Sequence, residues 1–90
     1  MKKTNRVLER IIKGFANHRR IEILVLLDKE PELSLQEISE KVKSDFKNIS
    51  AHITKMYTAG LLMKRNEGHI VRHTLTARGK SILKFVRIIE

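Results

Sequence analysis

Ninety residues with 41% hydrophobic content are enough for one small folded core and too apolar for a disordered tail. Tryptophan and cysteine are absent, so the core is expected to be aliphatic, and disulfide frameworks and thiolate metal sites are excluded. The net charge of +9 is unevenly placed: residues 17–40 carry −3 and residues 41–80 carry +7. A basic second half points to a polyanion, usually nucleic acid, with a plain solubility surface as the alternative. No apolar run approaches the roughly 20 residues needed to span a bilayer. The start, MKKTNRVLERIIK, is interrupted by charges and lacks a small-residue cleavage site, so it reads as a helix and not a signal peptide; the expected address is the cytoplasm.

In chain order, Thr4 or Asn5 can cap a first helix, about 4–15, in which Val7, Leu8, Ile11, Ile12 and Phe15 form a broad apolar stripe. Gly14 is a weak point near its end. Asn17 can cap a second helix, about 18–29. Ile21, Ile23, Leu24, Val25, Leu26 and Leu27 make that helix apolar nearly all round, so it should be central and buried. Asp28 to Leu33, with the only proline at Pro31, reads as a loop.

The stretch from Ser34 to Leu62 reads as two helices joined by a tight turn. Ser34 and Glu37 have the spacing of a capping box, opening a helix of about 34–43 with Leu35, Ile38 and Val42 inward. A turn near Lys43 and Ser44 leads to Asp45, which can cap a longer helix, about 45–60, ended by Gly60. Phe46, Ile49, Ile53, Met56 and Tyr57 form its inner stripe. Lys47, Ala51, Thr54, Lys55 and Thr58 lie opposite, Asn48 is also outside, and Ser50 and His52 fall on the two borders. No acidic residue occurs between Phe46 and Gly60. This is the pattern of a helix-turn-helix, whose second helix enters the DNA major groove.

Leu62 to Leu75 then reads as a β-hairpin with a turn at Asn66-Glu67-Gly68-His69, where Gly68 is available for positive φ. Thr76 caps a last helix, about 76–89, whose Ile82, Leu83, Phe85, Val86, Ile88 and Ile89 exceed what one small core requires. The fold class expected is mainly α with a small β-hairpin (α+β), a single domain spanning residues 1–90.

This order resembles a winged helix-turn-helix regulator, most nearly of the ArsR type, with MarR- and PadR-type regulators as neighbours. FANHRRIEILVLL is similar to that group's second helix, ISAHITKMYTAGLL to its recognition helix, and RNEGHIVRHTLTARGKSIL to its wing. The resemblance covers about residues 13 to 83. It implies a homodimer on double-stranded DNA, with dimer contacts from the terminal helices, and it puts Ser50 and His52 at the DNA and the wing tip near phosphates or the minor groove. Two departures matter. The cysteine pairs or Asp/His sets of the metal-sensing members are missing, and His73 stands where the wing usually has an aromatic residue.

At the level of residues, Lys47 and Asn48 sit in the first turn of the recognition helix, where side chains reach base edges. Lys55, with Ala51 on the same face, is placed to meet phosphate. Ser50 is either a phosphate contact or bonded back to its own helix. His52 is either a DNA contact or a structural imidazole. Arg65, His69 and Arg72 belong to the wing, where arginine can enter a narrow minor groove or simply protect an edge strand by charge. Val7, Leu8 and Ile11 with Phe85, Val86 and Ile89 form the expected dimer seam.

Metal and catalysis are not expected. Of His18, His52, His69 and His73, only the last two are close in sequence, and a turn intervenes between them. Ser50 and His52 point about 200° apart on one helix and cannot form a nucleophile–base couple. No cofactor or small-molecule ligand is identifiable. Two other functions stay open: a winged-helix protein-interaction module, and a non-specific architectural DNA binder.

Overall fold

The computed structural model describes residues 2–90. Five helices surround a small antiparallel sheet: α1 (Asn5–Phe15), α2 (His18–Lys29), β1 (Leu33–Ser34), α3 (Leu35–Lys41), α4 (Phe46–Thr58), β2 (Leu62–Glu67), β3 (Ile70–Leu75) and α5 (Ala77–Ile89). No described helix is long and apolar enough to cross a membrane. The side-chain caps read from the sequence are all made. Thr4, Asn17, Ser34, Asp45 and Thr76 each accept from backbone N–H groups of the first turn, and Ser34 and Glu37 complete a reciprocal capping box. The expected spans 34–43 and 45–60 included cap residues, so α3 and α4 are shorter by a residue or two at each end.

The sheet has three strands, in the order β1-β3-β2. The sequence reading placed Leu33 in a loop. It instead pairs with His73, and Ser34 pairs with Arg72. A two-residue strand carries no periodicity to read. It arises because the N-cap backbone of Ser34 is already extended and lies along the open edge of β3. Glu32, at φ 69°, turns the chain into this register and donates its N–H to the His73 carbonyl at 3.0 Å. The hairpin turn is also tighter than Asn66–His69. Glu67 pairs with Ile70, leaving only Gly68 and His69 in the loop. Gly68 takes φ 62°, the left-handed first position of a two-residue hairpin turn.

The core is aliphatic. Ile23, Leu24 and Leu27 of α2, Ile38 of α3, Ile49 and Met56 of α4, and Leu61 are fully buried. Two members of the expected α4 stripe are not. Phe46 is 52% exposed because it is the first residue of the helix, beyond the part that α2 and α3 cover. Tyr57 is exposed with the Lys64 ammonium 4.3 Å from its ring centroid, a cation–π contact in place of core burial. Likewise α2 is not buried all round, since Val25 faces out.

Gly14 is buried, and its lack of a side chain is what lets α1 lie close on α4. A Cβ there would overlap the Cβ of Ala59. Two effects then compete in Gly14→Ala. Removing a helical glycine stabilises by about 0.5–1 kcal/mol, whereas overpacking a tight contact costs about 1–3 kcal/mol. The second should win. Urea denaturation of Gly14→Ala is expected to show a lower midpoint, and an equal or higher midpoint would mean that the two helices part freely.

Candidate nucleic-acid interface

Helix α4 presents two faces. Ile49, Ile53 and Met56 anchor it to the core, so Lys47, Asn48, Ala51, Thr54, Lys55 and Thr58 are all exposed on the other side. The first turn is rigidly held: Asp45 Oδ1 accepts from the Asn48 N–H at 2.8 Å, and Asn48 Nδ2 donates to Ser44 Oγ at 3.3 Å. Among the described residues that leaves the side-chain Oδ1 of Asn48 and its second amide proton without a protein partner. Ser50 is half-buried, and its carbonyl accepts from the Thr54 hydroxyl at 2.9 Å. A cleft of about 590 Å³ separates α4 from the wing, with Ser50, Thr54, Lys64, Asn66, His69 and Val71 among its lining. Ser50 and Thr54 of α4 and the wing tip at His69 therefore flank one open channel.

His52 is half-buried, and the partner that sequence reasoning missed is Arg20. Its Nε–H donates to His52 Nδ1 at 3.1 Å, and its Nη1 donates to the Lys13 carbonyl at 2.6 Å. Because Nδ1 accepts, the neutral ring carries its proton on Nε2. Burial lowers the His52 pKa below the ordinary 6.5, and the nearby cations Arg20, Arg19, Lys55 and His18 lower it further. Arg20 lies in the run HRRIEILVLL as one of two adjacent arginines, and no spacing rule separates the buried one from its neighbour. Arg19 instead pairs with Glu22 at 2.8 Å and donates to the Val42 carbonyl.

The wing arginines are engaged within the protein. Arg65 and Arg72 stand directly opposite across β2 and β3, where like charges repel. Carboxylates relieve this. Arg65 binds Glu32 and approaches Glu67, and Arg72 binds Glu67 at 3.0 Å, the Glu32 carbonyl at 3.1 Å and Glu37 at 3.4 Å. Arg72 is thus a half-buried tie between the wing and the capping box of α3. Of the residues singled out on the hairpin, only His69 is exposed without such a partner. His73 is buried, and its Nδ1 donates to the Leu33 carbonyl at 2.9 Å, so it holds β1 on β3 in place of an aromatic plug. Burial lowers its pKa too, against an opposing pull from that hydrogen bond.

Among the described residues no group of three His, Cys, Asp or Glu side chains could hold a metal ion. The apolar faces of the terminal helices are partly open. Val7, Ile11 and Val86 are half-buried, while Leu8, Ile12, Phe85, Ile88 and Ile89 are exposed, Ile88 at 73% and Ile89 at 64%.

Helix-turn-helix followed by a hairpin and bracketed by two terminal helices defines a winged helix-turn-helix of the ArsR type. Comparison with known proteins agrees. The family model HVO_A0114 matches residues 16–79, and the chain belongs to that family. The transcriptional activator HlyU of Vibrio cholerae is 33% identical over 67 residues, which span 74% of this chain and 61% of that protein. A solved structure of V. cholerae HlyU superposes with a TM-score of 0.82 at 28% identity, covering 99% of this chain and 97% of that one. The same fold is seen in NolR from Sinorhizobium fredii (TM-score 0.84, 21% identity, 99% and 96% covered). It is also seen in Mb0332 from Mycobacterium bovis, described as a homodimeric winged helix-turn-helix DNA-binding domain and possible ArsR-family regulator (TM-score 0.82, 22% identity, 99% and 88% covered).

Both His52 and His73 bind protons less firmly folded than unfolded. Their contribution to stability is therefore complete above the ordinary 6.5 and is lost as pH falls through it towards the lowered folded values. The Tm is expected to drop between about pH 7.5 and about pH 5.5. His73→Phe should flatten that slope, and an unchanged slope would assign it to other groups.

Proposed function

We propose that the chain is a homodimeric, sequence-specific DNA-binding transcriptional regulator. The observation that carries this reading is the outer face of α4. It is exposed, free of acidic side chains, and has Lys47 and Asn48 in a capped first turn with their ends pointing away from the core. In this reading α4 enters the major groove. Asn48 pairs with a base edge, most naturally adenine, and Lys47 donates to guanine O6 or N7. Lys55 meets a phosphate, Ala51 allows close approach, and Ser50 and the Nε2–H of His52 donate from the two borders. The wing lies along the adjacent backbone with His69 at its tip. Arg65 would reach DNA only by exchanging its carboxylates for phosphates, and Arg72 serves to orient the wing. The kinship with HlyU, a transcriptional activator, supports the regulatory role.

Electrostatic binding of this kind should be salt-dependent. With six to ten phosphate contacts per dimer, affinity is expected to fall on the order of 10³–10⁵ between 50 and 200 mM salt. Fluorescence anisotropy on a randomised duplex pool, followed by sequencing of the bound fraction, should yield a two-fold motif with half-sites about 34–36 Å apart. Asn48→Ala should relax selection at one base position by roughly 1–3 kcal/mol. Salt-sensitive binding with no enriched motif would instead identify an architectural DNA binder, and no binding would favour a protein-interaction module.

A second copy is the occupant proposed for the open apolar faces of α1 and α5. Leu8, Ile12, Phe85, Ile88 and Ile89 are the members left exposed to meet it. Val7, Ile11 and Val86, half-buried already, would back the seam. Ile88→Glu places an unpaired charge in that contact, and analytical ultracentrifugation should find a folded monomer. A dimer that survives Ile88→Glu together with Phe85→Glu would place the seam elsewhere.

A further inference from the structure

A second cleft, of about 410 Å³, opens on the other side of α4, between it and α1. Its lining includes Arg10, Lys13, Arg20, Lys55 and Thr58, and no carboxylate. Glu9 approaches Lys13 at 3.4 Å, but with side chains 60% and 74% exposed that pair is weakly held, and Glu9 is not in the lining. At the lining lies Arg20, only 9% exposed. Its Nη1 and Nε are bound to a carbonyl and an imidazole, both uncharged acceptors. No described carboxylate lies within salt-bridge distance of it. Its Nη2 has no partner among the described residues, yet no buried side-chain nitrogen is left unsatisfied, so Nη2 is solvent-accessible in a residue that lines the cleft.

A guanidinium removed from water with no counter-charge is costly to a fold. Here it is held at the edge of a space whose other charged groups are all cations. We propose that the α1–α4 cleft is a phosphate-binding site, with the Arg20 fork as its fixed element and Arg10, Lys13 and Lys55 closing around the anion. Guanidinium and phosphate are matched in shape and charge. The exposed cations on the rim supply attraction, while Arg20 supplies geometry because its other two nitrogens are already tethered. Two sources can deliver that phosphate: a DNA backbone flanking the half-site, which rests on the function proposed above, or a free phosphorylated solute, which does not.

His52 makes occupancy visible. An anion on Arg20 offsets the positive charge that helps to hold the His52 pKa down, so a bound phosphate should raise it. The other charged groups facing His52 are Arg19 of α2, Lys55 of α4 and His18 at the start of α2. The test follows the Arg20 Nε–H and His52 ring resonances by NMR in the intact protein. It adds inorganic phosphate, a mixed-sequence duplex of about 30 base pairs, or chloride at matched ionic strength. Phosphate should shift both resonances saturably and raise the His52 pKa. The double variant Arg10→Gln, Lys13→Gln, which leaves the backbone and imidazole tethers of Arg20 in place and spares the proposed DNA face of α4, should weaken that response about tenfold.

A response to phosphate with duplex affinity unchanged in the double variant supports a site for a free phosphorylated ligand. A response to duplex that the double variant weakens supports a backbone phosphate. Chloride matching phosphate, or resonances of Arg20 unmoved by both phosphate and duplex, overturns the proposal. A wild-type protein that ignores duplex yet answers to phosphate would sink the DNA-binding reading alone.

Discussion

One guanidinium, that of Arg20, joins three helices. It rises from the first turn of α2, takes the Lys13 carbonyl near the end of α1, and reaches the imidazole of α4. Each link fixes something different. The carbonyl at Lys13 is one that the ending helix leaves without an intrahelical donor. The bond to His52 sets the roll of α4 about its own axis, and so decides which residues stand outermost. The close contact of Gly14 on Ala59 sets how far apart α1 and α4 lie. Core packing by Ile49, Ile53 and Met56 places α4, but an aliphatic stripe alone tolerates rotation. A hydrogen bond to a ring nitrogen is less forgiving.

Charge in the wing follows the same logic of partners before surface. Two arginines face one another across β2 and β3, an arrangement that only surrounding carboxylates make tenable. Glu32 and Glu67 supply them, and Glu37 does so while also closing its capping box with Ser34. Arg65 and Arg72, two of the nine cations between residues 41 and 80, are therefore engaged inside the protein. Among the described residues, Lys47 and Lys55 stay unpaired on the outer face of α4, and Lys55 with Arg10 does so on the rim of the α1–α4 cleft.

What the sequence disclosed and what it hid divide along physical lines. Helices were legible because caps and 3.6-residue periodicity are local; the spans of α2, β3 and the caps at Thr4, Asn17, Ser34, Asp45 and Thr76 all follow from neighbours within four residues. Long-range pairings were not. Nothing near Leu33 announces that it pairs with His73, forty positions away, or that His73 fills an aromatic residue's place by hydrogen bonding to it. The fate of Phe46 and Tyr57 turned on where the covering helices end, which periodicity does not record. For the proposed DNA face, the exposed side chains of α4 were readable from the stripe opposite them. Arg20 was not, because burial of an arginine depends on acceptors brought from other helices.

The short strand β1 has a mechanical consequence. Ser34 is at once the last residue of that strand and the cap of α3, and Arg72 on β3 reaches the carboxylate that completes the same cap. Wing and helix-turn-helix are therefore bolted together here as well as through their shared core, like the jaws of a caliper locked by a screw. The spacing between α4 and the hairpin cannot be tuned by a small local bend without breaking the cap, the strand pairing and the arginine tie at once. In the proposed dimer, any graded change in reach would then come from the angle between the two copies.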